Sequence, residues 1–119
     1  MQLQVLKSKL QELIVTGANV RYEGSLTLDP ILMDAAGLYP YERVEVNGLY
    51  TDSRIVTYVI PGKMGSGQVE LNGGAARFFN AGDHIHVNCF AITDELLLDG
   101  TLHNEPIVVI TDDRNKIIA

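Results

Sequence analysis

A serine that follows a glycine can turn on its own backbone, and Arg21-Tyr22-Glu23-Gly24-Ser25 sets such a pair between two strand-like runs. Glycine reaches backbone conformations closed to other residues, so a strained Gly24–Ser25 peptide would present its carbonyl to the following hydroxyl. Backward attack converts the amide to an ester. Elimination then leaves a dehydroalanine, and hydrolysis of that leaves a pyruvoyl group as a new N-terminus. Taken alone, the Gly-Ser dipeptide reads first as a turn.

Other reactive side chains give weaker patterns. His84 and His86 share one face of a strand at a spacing that serves metal ligands, yet no cysteine or carboxylate pattern completes a site, so no metal is expected. A hydrolase triad assembled from Ser53 or Ser66, His84 or His103 and an aspartate lacks any sequence geometry. Gly62-Lys63 to Gly67 has its glycines, lysine and hydroxyl in the wrong order for a phosphate loop and reads as a solvated hairpin. Cys89, the one cysteine, lies in the strand-like run Val87-Asn88-Cys89-Phe90 and reads as a buried thiol. Asp94, Glu95, Asp99, Asp112 and Asp113 serve to keep the C-terminal region soluble.

The elements that must position these groups are mostly strands, because short runs rich in Val, Ile, Tyr and Thr recur between clusters of Gly, Asn, Asp and Pro. Extended segments are expected at 13–15, 20–22, 25–28, 43–46, 54–60, 68–71, 84–91 and 106–110. Asp29-Pro30 supplies a cap and a first-turn proline, and Gly37 a stop, for one short helix over 31–36. A helical turn is expected at 94–98. Turns fall at Asn47-Gly48, Pro61-Gly62, Asn72-Gly73-Gly74 and Ala81-Gly82-Asp83, the close spacing of a small barrel or sandwich.

With 119 residues and 46% hydrophobic content, the chain suits one domain with a buried core. Its 15 acidic against 9 basic residues give a net charge of -6, which repels nucleic acid and anionic membranes. No run reaches the length of a signal core or membrane span, so a cytoplasmic protein is expected.

Tyr22-Glu23-Gly24-Ser25, Asp34-Ala35-Ala36-Gly37, Arg54 with Thr57-Tyr58, Asn72-Gly73 with Ala75-Ala76, and Gly82-Asp83 together resemble, in order and spacing, bacterial aspartate 1-decarboxylases. The resemblance runs from about Lys9 to about Ala91. It implies a mainly β protein, a six-stranded double-psi β-barrel with short helices, forming a homotetramer with active sites between subunits. The implied reaction turns L-aspartate into β-alanine for pantothenate and coenzyme A. The chain would mature by cutting itself into 1–24 and 25–119.

Carried onto this sequence, the resemblance makes Ser25 the source of a covalent pyruvoyl cofactor that forms a Schiff base with the substrate amine, with no external cofactor or metal. It assigns Tyr58 as the acid that reprotonates the decarboxylated carbon, and a phenol has a proton to give at neutral pH. Thr57 matches a residue that bonds near the Gly24 carbonyl and can steady the oxyanion of the backward attack. Gly73, Gly74 and Ala75 match a loop whose N–H groups meet the substrate. Arg54 suits a two-pronged carboxylate clamp, with Lys9 as the second cation. We assign Arg54 the side-chain carboxylate, because gripping the departing one would stabilise the ground state more than the transition state.

Two positions depart from the family pattern: Gln11 stands where histidine is common, and Gly74 where alanine is usual. Strand alternation also puts Arg54 and Tyr58 on one face and Thr57 on the other, which a bulge or a subunit boundary would reconcile. The competing readings are a non-catalytic barrel that binds a ligand or DNA, the latter disfavoured by the acidic charge, and an inactive relative that never cleaves. An accessory maturation factor, used by some members of the family, is not implied.

Overall fold

The computed structural model describes residues 1–95 and 105–119. The chain runs β1 (Gln2–Ile14), β2 (Gly17–Asn19), β3 (Ser25–Leu28), α1 (Pro30–Ala36), β4 (Arg43–Gly48), β5 (Arg54–Pro61), β6 (Val69–Asn72), a 3-10 helix (Gly73–Arg77), β7 (His84–Asp94) and β8 (Ile107–Ile110). The mainly β expectation holds. The eight described strands join in one open sheet of order β2-β6-β3-β5-β4-β7-β1-β8, consistent with a barrel.

Alternation builds the core. Leu10 and Leu13 of β1, Leu26 and Leu28 of β3, Val44 and Val46 of β4, Val69 and Leu71 of β6, and Ile85 and Val87 of β7 are all buried. Their neighbours, such as Glu45, Asn47, His86 and Asn88, are only half-buried. β1 keeps both leucines inward across an irregularity: Leu10 pairs with Val87 and Leu13 with Ile85, so Gln11 and Glu12 together face the one residue His86.

Helix α1 starts and stops as its sequence dictates. Asp29 caps the Ile31 N–H at 2.9 Å, and Gly37 ends the helix at φ 67, where a side chain would be strained. The same carboxylate accepts the N–H groups of Gly65 at 3.0 Å and Gly67 at 2.9 Å. Amides that looked superficially like a phosphate loop are thus spent on an internal anion. Burial would raise the Asp29 carboxyl, but bonds from Ile31, Gly67 and Gly65, with the Lys116 charge, outweigh it and hold it below the usual range.

Three expectations need correction. The N-terminal strand begins at Gln2 rather than 13, because β1 is buried between β7 and β8 and its polar residues alternate too irregularly to be read alone. Residues 20–22 are not a strand; β2 is Gly17–Asn19, which pairs with β6. Asn72-Gly73-Gly74 is not a hairpin turn but the passage from β6 into the 3-10 helix. Most of the helical turn expected at 94–98, with Asp99 and His103, lies outside the described residues.

Candidate active site

Ser25 opens β3, the strand held between β6 (antiparallel) and β5 (parallel). It is buried, and its hydroxyl is fixed from two sides. Ser25 Oγ donates to the Glu23 carbonyl at 3.2 Å, turning back across the Gly24–Ser25 bond, and accepts from Asn72 Nδ2 at 2.9 Å. Asn72 Nδ2 also donates to Thr27 Oγ1 at 2.8 Å. Ser25, Thr27 and Asn72 are all buried, so these bonds act where competing water is scarce. Asn72 Oδ1 is buried without a hydrogen-bond partner, leaving a polar edge open to a group arriving beside Ser25.

Gly73 explains how the cutting segment comes so close. Its φ is 61, and a Cβ there would stand 2.6 Å from the Gly24 nitrogen, 2.7 Å from the Gly24 Cα and 2.8 Å from the Tyr22 carbonyl oxygen. Only a residue without a side chain lets the 22–24 backbone settle on this strand end. A Cβ on Gly74 would meet nothing, so alanine would fit there equally well.

β5 brings Thr57 and Tyr58 alongside. Its parallel register pairs Leu26 with Val59; carried back along both strands, that register sets Ser25 level with Tyr58 and Gly24 level with Thr57. Two hollows adjoin there. One, of about 370 Å³, is lined by Gly24, Thr57, Tyr58, Gly74, Ala75 and Phe78 among others. The second, of about 310 Å³, is lined by Ser25, Tyr22, Glu23, Tyr41 and Tyr58 among others. Tyr58 belongs to both, and its ring lies 6.2 Å from that of Tyr41. β5 pairs with β4 without a bulge from Arg54 to Tyr58. Thr57 and Tyr58 alternate on β5, so Thr57 shares the first hollow with Gly24 while Tyr58 lines both.

Arg54 and Lys9 are not gathered at this point. Arg54 is exposed at the start of β5, opposite Asn47 of β4, which in turn faces His86 of β7. Lys9, half-buried in β1, pairs with Asn88 of β7. Both cations project from the outward face. Three strand spacings separate β1 from β5, about 14 Å along the sheet, more than one small dicarboxylate spans.

Asn72 is the residue that sequence reasoning undervalued. It was read as half of a turn, whereas its side chain is the main fixed partner of Ser25; an asparagine ending an apolar run Val69-Glu70-Leu71 was the available signal. Gln11 lies with Glu12, His84 and Asp112 around a separate hollow of about 240 Å³. No cluster of three or more metal-type ligands occurs among the described residues.

The profile of a family described as aspartate decarboxylase matches residues 1–118. The chain belongs to the aspartate decarboxylase family. The aspartate 1-decarboxylase of Caldicellulosiruptor bescii is 42% identical over 118 residues, 99% of this chain and 90% of that protein. The aspartate 1-decarboxylase of Syntrophobacter fumaroxidans is 44% identical over 119 residues, 100% of this chain and 94% of its own length. That of Salinibacter ruber is 44% identical over 117 residues, 98% and 78%.

Membership in the decarboxylase family leaves the remaining reactive groups in supporting roles. Cys89 Sγ donates to Glu42 Oε2 at 2.7 Å, and Lys7 Nζ meets the same carboxylate at 2.9 Å. Burial first, then the Glu42 bond and charge, push the thiol up to about 12, so it stays protonated and inert. No helix among the described residues is long and apolar enough to cross a membrane.

Proposed function

We propose that this chain is the precursor of a pyruvoyl-dependent enzyme that decarboxylates L-aspartate to β-alanine and CO2, feeding pantothenate and coenzyme A synthesis in the cytoplasm. The observation that carries this reading is the buried Ser25 hydroxyl, turned back on Glu23, gripped by Asn72 and crossed by a glycine backbone resting on Gly73. Attack of Oγ on the Gly24 carbonyl expels the amide nitrogen, which takes a proton, and forms an ester; Thr57 steadies the oxyanion from its place beside Gly24. Loss of the Ser25 α-proton releases the Gly24 carboxylate and leaves dehydroalanine. Water then displaces ammonia.

The surroundings of Ser25 suit the group so formed. Backbone ladders on both sides of β3 hold residue 25 in place, while Tyr58 and the paired hollows leave room for a small amino acid. A pyruvoyl group supplies a ketone conjugated with an amide, which engages the substrate amine and accepts the electrons left when CO2 departs. Tyr58 gives its phenolic proton to the substrate carbon that lost CO2. Ala75, Gly74 and Gly73 offer backbone N–H groups at the rim, and Arg54 and Lys9 hold carboxylate.

Lys9 and Arg54 stand three strand spacings apart in one protomer, and a clamp that drew one cation from each of two subunits would bring them together with shorter reach. This supports a homotetramer with active sites between copies. Exposed Tyr39, Tyr41, Tyr50, Val56, Phe78 and Ile107 supply apolar surface for such association.

Mass spectrometry tests the reading. Matured protein should separate into 1–24 and 25–119, the larger piece starting with a pyruvoyl group, and Ser25→Ala should give neither fragments nor β-alanine. A wild-type chain that stays intact after prolonged warming overturns the proposal.

A further inference from the structure

The Gln11-Glu12 bulge of β1 is held in an unusual way. Glu12 sits at φ 58, a left-handed conformation that costs a non-glycine residue about 1–3 kcal/mol unless its surroundings impose it. Here two histidines of β7 impose it. The Glu12 backbone N–H donates to His86 Nδ1 at 3.0 Å, and His84 Nδ1 lies 3.2 Å from Glu12 Oε2. His86 is the one β7 residue facing the two-residue bulge, between the pairs Leu10–Val87 and Leu13–Ile85. Lys9 lies two residues before the bulge, with Leu10 between. A one-residue slip of β1 would turn Lys9 from the outward face into the core.

We propose that His86 is a positioning residue for Lys9: as a neutral acceptor for the Glu12 N–H it locks the β1 bulge, and protonation of its ring opens that lock and weakens binding of the substrate dicarboxylate. The inference rests on the reading of Lys9 as part of the carboxylate clamp. His86 can play this part only while Nδ1 keeps its lone pair, since an imidazolium offers N–H on both sides. The groups around it are Lys9 and Glu12 of β1, Glu45 of β4, Arg54 of β5 beyond Asn47, and His84 of its own strand. Asp112 and Asp113 lie farther off, around the hollow beside His84. Burial and the Lys9 ammonium hold His86 below the usual histidine range, outweighing Glu12. The neutral, locked form therefore prevails at neutral pH and gives way as acid passes the lowered value.

Aspartate itself keeps its charges between about pH 7.5 and about pH 5, so ionisation of the substrate does not move KM over that span. In matured wild-type protein KM for aspartate should rise about tenfold as pH falls through the lowered His86 value, while kcat changes far less. His86→Leu should show the raised KM already at neutral pH. His86→Asn, whose Oδ1 accepts from Glu12 but does not titrate, should recover most of the lost affinity and give a flat profile. In NMR spectra the Glu12 amide resonance should move with the midpoint of the His86 ring, and stop moving in His86→Asn. A wild-type KM that ignores pH, or a His86→Asn profile identical to wild type, overturns the inference. Lys9→Ala separates the two levels: unchanged KM there sinks the clamp reading itself, whereas raised KM with indifferent His86 variants sinks only the lock.

Discussion

Around Ser25 the groups named for the cut come from neighbouring elements of one chain, with Ser25, Thr27 and Asn72 buried; along the outward face, Lys9 and Arg54 are solvent-accessible and held apart by two intervening strands. In the first region Asn72 Nδ2 ties the Ser25 and Thr27 hydroxyls together out of solvent, while Asn72 Oδ1 stays unpartnered. The second is open, with Arg54 exposed and Lys9 half-buried. The contrast teaches that, on the proposed reading, the groups for the cut would all come from one protomer, whereas substrate recognition would draw on more than one.

Tyr58 stands at the border, so Tyr58→Phe divides the two regions most sharply. Cleavage should proceed normally while kcat for β-alanine falls by about 10²–10⁴. Loss of cleavage as well would merge what we have separated. Gly73→Ala strikes the buried side first: its Cβ would collide with Gly24, and a displacement of that order should slow cleavage about 10²-fold. Gly74→Ala in the same time course should match wild type, since its Cβ meets open space. Arg54→Ala strikes only the open side, raising KM for aspartate roughly tenfold to a hundredfold with fragments forming as before.

The smallest effect on chemistry belongs to Asp29, which serves the fold alone. Asp29→Ala should cost about 2–4 kcal/mol in denaturant unfolding, because it strips the helix cap and leaves the Gly65 and Gly67 amides without their acceptor. Its carboxyl is depressed in the fold, so its stabilisation is complete above the ordinary carboxylate range and is lost as pH falls through the lowered value. A mutant whose acid unfolding midpoint equals wild type would remove Asp29 from that role.

Sequence legibility followed how local each feature is. Helix α1 was readable to within a residue because Asp29, Pro30 and Gly37 act on their own neighbours. β3 and β4 were readable because apolar and polar residues alternate in them, and β5 because Ile, Val, Thr and Tyr crowd into it. β1 was not, since its two register shifts break the alternation and its stability comes from β7 and β8, far away in the chain. At the site, Gly24, Ser25, Thr57, Tyr58 and Ala75 were named from a motif and do converge. The grip of Asn72 on Ser25 was hidden, because it spans 47 residues and depends on the β3–β6 register. The function of Gly73 was equally invisible: the sequence shows a small residue but not the backbone lying across it.

Residues 1–24 contribute β1 and β2, and neither strand pairs with the other. β1 is laced between β7 and β8, and β2 lies on β6, all of which belong to the later part of the chain. Breaking the covalent thread after Gly24 therefore releases nothing. The short piece stays stitched into the long one, and a nicked molecule should unfold as a single cooperative body.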